Sequence, residues 1–391
     1  MKTSGMTAAP PWVDHKRYLW LLGPAVPVLG LTGLAAFSFL HLYWAVWVLM
    51  GIVHLIIPAL DWVVGEDRDN PPDSAIAALE ADPYYRVLLI AFVPLQLAAT
   101  GWGAWLFVHT DAPWYHLLGL ALSVGLLSGI GINTGHELGH KKNALDQWMA
   151  RLALAPSWYG HFYVEHNRGH HKNVATPEDP ASSRMGESFW AFLPRTVMGS
   201  LRSAWSLEAE RLNKLGRSAW SLQNQNLQSW GMSLALFVAA VAWLGWAVLP
   251  FLLIQAIYGF SLLEVVNYLE HYGLLRQKGD DGRYERCQPR HSWNSNHTVT
   301  NLFLYHLQRH SDHHANPARR FQALRHFDEG PQLPSGYAAM LTLAYVPPLW
   351  FAVMDRKVLA HYGGDIRRVN LHPSRRDALM AQHGQTRQET T

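Results

Sequence analysis

The sequence predicts an all-α integral membrane protein, with six transmembrane helices and a cytoplasmic helical cap holding a histidine-rich dinuclear metal site. Three observations predict it. Apolar residues collect in long runs free of Lys and Arg, the Lys and Arg are confined to alternate connections, and nine of the 22 histidines fall in four short clusters.

The first observation corrects the average. With 391 residues and a mean hydropathy of −0.05, the chain would pass for a soluble protein of two or three domains. The 18 tryptophans point elsewhere, because amphipathic rings favour membrane interfaces. A spanning helix needs about 20 mainly apolar residues to cross roughly 30 Å of hydrocarbon. Residues 18–40, 42–64, 87–108 and 114–135 each meet that length. The run over 230–269 is too long for one crossing, and Pro250 near its middle marks a tight hairpin between a fifth and a sixth span. The core of a large soluble helical protein is the bland alternative; five such runs are hard to bury without a membrane.

The charge pattern orients the bundle. The connections near His41, over 109–113 and near Pro250 hold no Lys or Arg. The basic residues lie in the amino-terminal arm, in 65–86, in 136–228 and in the carboxy-terminal region. The positive-inside rule makes those segments, both termini and the histidine clusters cytoplasmic. The first run is followed at once by a second span, so it reads as an anchor and not as a signal peptide. The chain then divides into an arm (1–17), spans one to four (18–135), a cytoplasmic region with the first two clusters (136–228), spans five and six (229–272), and a cap with the last cluster and a polar tail (273–391). Amphipathic helices are expected within 141–228. The run over 341–354 is too short to span and contains Pro347 and Pro348.

Cys287 is the single cysteine, so the chain can form no internal disulfide and no CxxC-based iron–sulfur, rubredoxin-type or zinc-ribbon centre. Redox chemistry here needs other ligands and electrons from elsewhere. The net charge of +3 gives no reason to expect nucleic acid.

The four clusters are His136-Glu-Leu-Gly-His140, Glu165-His166-Asn-Arg-Gly-His170-His171, Asn267-Tyr-Leu-Glu270-His271-Tyr-Gly273 and Gln308-Arg-His310-Ser-Asp-His313-His314. Residues three or four apart share a helix face, so His136/His140, His166/His170 and His310/His314 can each reach one ion. The doubled histidines point roughly 100° apart on a helix, which suits two neighbouring metals. Nine imidazoles exceed the positions around one ion, so two are implied. Most other histidines read as ordinary polar residues. His54, in mid-membrane, is a functional candidate or a hydrogen-bonded packing residue; His291, His297 and His306 lie close upstream of the last cluster. The first cluster also fits the H-E-x-x-H zinc-protease motif, with Glu137 as general base, but that reading leaves three clusters unexplained. Imidazoles suit zinc, copper, iron and nickel alike. The acids Glu137, Glu165, Asp179, Glu270 and Asp312 are expected to accept from the outer N–H of ligand imidazoles, or else to form surface ion pairs.

These strings resemble the signature boxes of the AlkB-type alkane 1-monooxygenases, within the membrane di-iron fatty acid desaturase and hydroxylase superfamily. The stretches beginning Asp61-Trp-Val-Val-Gly-Glu-Asp, Thr176-Pro-Glu-Asp-Pro-Ala and Ser292-Trp-Asn-Ser resemble that family too, so the likeness covers roughly 18–327. Three histidine boxes alone mark the superfamily. The His-Tyr-Gly box and the Leu-Gln-Arg-His-Ser-Asp-His-His string narrow it to the alkane and xylene branch. The resemblance implies a bacterial inner-membrane enzyme with two non-haem iron ions and O2 as co-substrate, and no haem, flavin or iron–sulfur cluster in this chain. It would hydroxylate the terminal carbon of medium- to long-chain n-alkanes to primary alcohols. Electrons would come from a rubredoxin and its NAD(P)H-dependent reductase. The ligand role carries over to His136, His140, His166, His170, His171, His271, His310, His313 and His314. The runner-up is a relative acting on alkyl aromatics or fatty acyl chains. Trp47, Trp62, Ile132 and Leu263 are candidate substrate-path residues by depth, with lipid contact or packing as the alternative. Arg168, Lys172, Arg309, Arg319 and Arg320 are candidates for docking an acidic carrier, with positive-inside bias as the rival explanation.

Overall fold

A computed structural model describes residues 12–384. Most of the expected amino-terminal arm (1–11) and the last part of the polar tail (385–391) lie outside the described residues. Among the described residues the fold is helical throughout, with isolated β-bridges and no strand. Six helices are long and apolar enough to cross a membrane: Leu19–Phe39, Tyr43–Val64, Pro83–His109, Trp114–Gly139, Gln225–Leu244 and Trp246–His271. The chain is thus a multi-pass membrane protein.

The third and fifth spans start four or five residues earlier than the apolar runs, at Pro83 and Gln225, and two further boundaries differ from the sequence reading. The turn between the fifth and sixth spans falls at Gly245, which has a φ of 76° and a ψ of 179°. Glycine adopts that positive φ without steric cost. Pro250 instead sits in the first turn of the sixth helix, where its missing N–H would have no intrahelical partner anyway. The fourth helix continues to Gly139, so His136 lies within it and His140 caps it.

The fourth span is the axis of the bundle, with 72% of its most apolar window buried. It packs on the sixth through small residues, which let two backbones approach closely. A Cβ on Gly125 would stand 2.9 Å from the Gln255 carbonyl, and one on Gly129 3.0 Å from the Gly259 carbonyl. Ser128 donates to Gln255 at 2.8 Å, and Gln255 donates to the Pro156 carbonyl at 2.6 Å. This pairing brings the His136 and His271 ends of the two helices to one end of the bundle, each in its own group of histidines.

The second span is irregular. Its Ile52–Ile56 stretch is a π-helical turn just before Pro58, which lacks the N–H that would bond back to His54. His54 has a hydroxyl beside each ring nitrogen, Thr342 at 3.4 Å and Tyr258 at 3.3 Å. Beyond the spans, amphipathic helices form at Ala144–Leu154 and Phe189–Lys214. The apolar run near 341–354 is split into Tyr337–Ala344 and Pro347–His361, since a proline at position 347 starts a helix better than it continues one. These two helices pack on the sixth span through Tyr268, Tyr272, Trp350 and Met354.

Candidate metal centre

The nine clustered histidines come from the ends of two spans and from two short helices, and they gather into two groups that can hold metal ions. His136, His140, His166, His171 and His313 form the first; His170, His271, His310 and His314 form the second. Within each group the nearest ring nitrogens lie within 4.8 Å of one another. In the first, Nε2 of His136 is 2.9 Å from Nε2 of His313, and Nε2 of His171 is 3.1 Å from those of His166 and His313. In the second, Nε2 of His310 is 2.9 Å from that of His314 and 3.2 Å from that of His271.

The pairing differs from the helical expectation at one box. His136/His140 and His310/His314 stay together, but His166 and His170 part company. The reason is a π-helical turn over His166–His170. The wider i→i+5 turn brings His171, not His170, onto the face of His166. Both doubled histidines divide between the groups: His171 and His313 join the first, His170 and His314 the second.

Burial strips these imidazoles of charge. It holds His140, His166, His171, His310, His313 and His314 well below the ordinary histidine pKa. The other rings of the cluster, where they carry charge, add to the effect. His170 is the exception. Burial alone would lower it, but the Asp179 carboxylate carries it upward. A neutral imidazole donates from only one nitrogen, so Nε2 atoms that converge in threes, as that of His171 does with those of His166 and His313, cannot all pair as N–H···N bonds, whereas a cation among them takes every lone pair. A pair of imidazole-loving metal ions therefore fits this donor set. The rings also leave buried nitrogens without a hydrogen bond, among them Nε2 of His170 and Nδ1 of His136, His310 and His314.

The five acids have different surroundings. Asp179 accepts from Nδ1 of His170 at 2.9 Å and from Ser182 at 2.6 Å, turning the Nε2 of His170 into its group. Glu270 lies 3.2 Å from Nε2 of His310, the nitrogen facing the group, and so stands on the inner side of the site. The other three touch no histidine of the groups through a hydrogen bond. Glu137 faces Lys141 at 3.7 Å, Glu165 accepts from Ser203 at 3.3 Å, and Asp312 pairs with Arg319 at 2.6 Å. Burial and the nearby Asp179 push Glu165 up to about 8. Glu137 thus points away from the first group, which holds five histidines rather than a protease's three ligands, and the zinc-protease reading loses its base.

An apolar cleft with roughly 1000 Å3 of empty space, part of it open to the outside, runs down to the groups. It begins among Leu29, Leu49 and Ile52 of the first two spans and ends on His136, His166, His310 and Glu270. Leu263 lines it. The other three residues singled out by depth do not: Trp47 packs over Gly119, Trp62 is 86% exposed on the outer face, and Ile132 is fully buried against the helices beside the fourth span. The reading missed Asn133 and Val266, which lie on the lining with Asn267, the first residue of the third cluster, three or four residues before the box residues His136 and Glu270. Helical spacing counted back from the boxes would have found them. It also missed Glu264, a buried carboxylate that accepts from Tyr159 at 2.5 Å and Thr196 at 2.8 Å. Arg309 is not a docking residue, being buried and bonded to the carbonyls of Leu324, Asp67 and Asp69.

Fold and site together define a multi-pass helical membrane protein built around a histidine-rich metal centre, and the fatty acid desaturase family model matches residues 112–344. The chain is 50% identical over 377 residues to the alkane 1-monooxygenase of Acinetobacter baylyi, covering 96% of this chain and 92% of that one. It is 46% identical to the alkane 1-monooxygenase of Pseudomonas putida, over 96% and 93% of the two chains. The xylene/toluene monooxygenase hydroxylase component of Pseudomonas putida is more distant, 29% identical over 85% of this chain and 87% of that one. The chain belongs to the alkane 1-monooxygenases of the fatty acid desaturase family.

Proposed function

We propose that this chain hydroxylates the terminal carbon of n-alkanes to primary alcohols at two iron ions held by its nine clustered histidines. The single observation that carries the reading is the cleft, which opens among membrane-facing helices and ends on His136, His166 and His310. The two ions would supply O2 activation and the oxidising power to remove a terminal hydrogen.

The protein's own groups do the rest. A hydrocarbon partitions into the bilayer core, so the apolar mouth at Leu29, Leu49 and Ile52 admits it sideways. Leu262, Leu263, Val266 and Leu307 leave room for a chain and give it no hydrogen-bonding partner. The chain end therefore meets the metal site first, and water is kept out by the same walls. Asp179 fixes the His170 ring, and the His291 carbonyl, 3.3 Å from Nδ1 of His271, fixes another. Each then presents Nε2 to its group.

The basic connections support a cytoplasmic site in a bacterial inner membrane. Electrons would then arrive from a rubredoxin and its NAD(P)H-dependent reductase, because the chain has one cysteine and no cluster of its own. The boundaries of arm, spans and cap read from the sequence belong to the same topology.

Product analysis tests the reading. Membranes carrying the chain, supplied with rubredoxin and reductase, are given n-octane, n-dodecane and p-xylene. The 1-alkanols are the expected products. Oxidation of p-xylene alone would move the chain to the aromatic branch.

A further inference from the structure

Beyond His166 of the first group and Phe162 on the cleft lining, alkane hydroxylation leaves a row of aromatic rings without a role. His166 stacks on Phe162 with ring centroids 4.7 Å apart, and Phe162 lies 6.3 Å from Tyr159. Tyr159 meets His161 at 4.4 Å, and His161 faces Trp230 at 6.5 Å. Trp230 lies almost parallel to Trp205 at 6.1 Å, and Trp205 contacts Trp220 at 4.9 Å. Trp220 is 76% exposed. The row therefore runs unbroken from the first histidine group to the surface. Its members come from the short helix Phe162–Glu165 and the turn before it, the fifth span, the helix Phe189–Lys214 and the loop after that helix. No single helical repeat produces such an alignment.

Tyr159 is equipped to lose an electron. A phenol gives up a proton when oxidised, and Glu264 already holds that proton's position at 2.5 Å. Glu264 also accepts from Thr196 at 2.8 Å and Asn267 at 3.2 Å and has no cation beside it among these contacts. His161, between Tyr159 and Trp230, is buried with both ring nitrogens free of hydrogen bonds. Burial lowers its pKa to about 4, so it adds no charge to the row.

We propose that this row drains oxidising equivalents from the metal centre when O2 is reduced there without a hydrocarbon in the cleft. Tyr159 gives one electron toward His166 and its phenol proton to Glu264. Trp230 returns an electron to the tyrosyl radical, which takes its proton back from Glu264. Trp205 and then Trp220 refill the gap, and the indole radical cation left on Trp220 takes one electron from a thiol in the surrounding water, whose proton goes to that water and whose thiyl radical couples with a second one to a disulfide. The net change is one electron from a thiol to the centre. The role rests on the O2-activating reading of the centre.

The iron-loaded chain, reduced and exposed to O2 without alkane, tests it by peptide mass mapping and freeze-quench electron paramagnetic resonance. Kynurenine-type oxidation should collect on Trp220 and Trp205, an aromatic radical should appear, and n-octane should suppress both. Y159F keeps the other two donors to Glu264 and should lower the Trp220 modification several-fold. W220F, a surface change, should leave alkanol formation unchanged and shift the modification to Trp205. Alkanol formation is measured on the same samples. Normal product with no mark on either tryptophan, or equal marks in Y159F, overturns the route alone; absence of any alkanol overturns the functional reading and the route with it.

Discussion

His166 and His171 stand five residues apart and bring their Nε2 atoms to 3.1 Å. A regular α-helix would put a wide angle between them. The π-helical turn closes it and sends His170 to the other group, so a local departure from helix geometry lets one box serve both groups. Gly169 lies inside this turn, where a Cβ would meet Glu165 Oε1 at 2.5 Å and Ser203 Oγ at 3.0 Å. G169A should push the turn off the helix Phe189–Lys214 and cost bound metal. Elemental analysis of the purified variant decides it, and a full metal complement would show that the turn tolerates the methyl.

Asp179 acts on the second group alone, through His170. Losing such an oriented partner typically weakens metal binding roughly 10–100-fold. D179N should therefore release one ion to a chelator at far lower concentration than the parent, while the other stays bound. A chelator titration identical to the parent's would remove Asp179 from that role.

Leu29 lies at the far end of the cleft from the histidines. Filling that end should shorten the longest chain that fits without touching the reacting end. L29W should lose activity on long n-alkanes several-fold and keep it on short ones. A uniform fall across all lengths would place the alkane elsewhere.

Acid should destabilise the metal-free chain. Burial lowers His161 and His291 to about 4 from an ordinary 6.5. Below that ordinary value the unfolded chain binds protons that the folded chain refuses. Stability is present above pH 6.5 and falls as pH drops toward about 4. The fall is at most about 1.4 kcal/mol per pH unit for each such group. Thermal unfolding in detergent should show Tm falling over this window, with a shallower slope in H161Q. A flat profile would contradict the burial of these rings.

Much of this was legible in the sequence. Five apolar runs, the last long enough for two crossings, gave the six spans, because hydrocarbon thickness fixes their length, and the clustered histidines gave the centre. What escaped depended on geometry that spacing does not carry. The α-helical rule paired His166 with His170, because no residue pattern announces a π-turn. Pro250 looked like the hairpin, yet a proline in a first helical turn is harmless and Gly245 made the bend. Of the five acids, spacing could not tell which side of a helix faces a ring, and only Asp179 and Glu270 reach the histidines. Glu264 stayed hidden because its partners, Tyr159 and Thr196, are distant in the chain.

The most direct test counts iron and zinc per chain on a preparation whose 1-octanol formation is measured at the same time, before and after metal removal and refilling. The expected result is two irons per chain, activity lost with the metal and restored by iron. Full activity in a zinc-loaded, iron-free sample would contradict it.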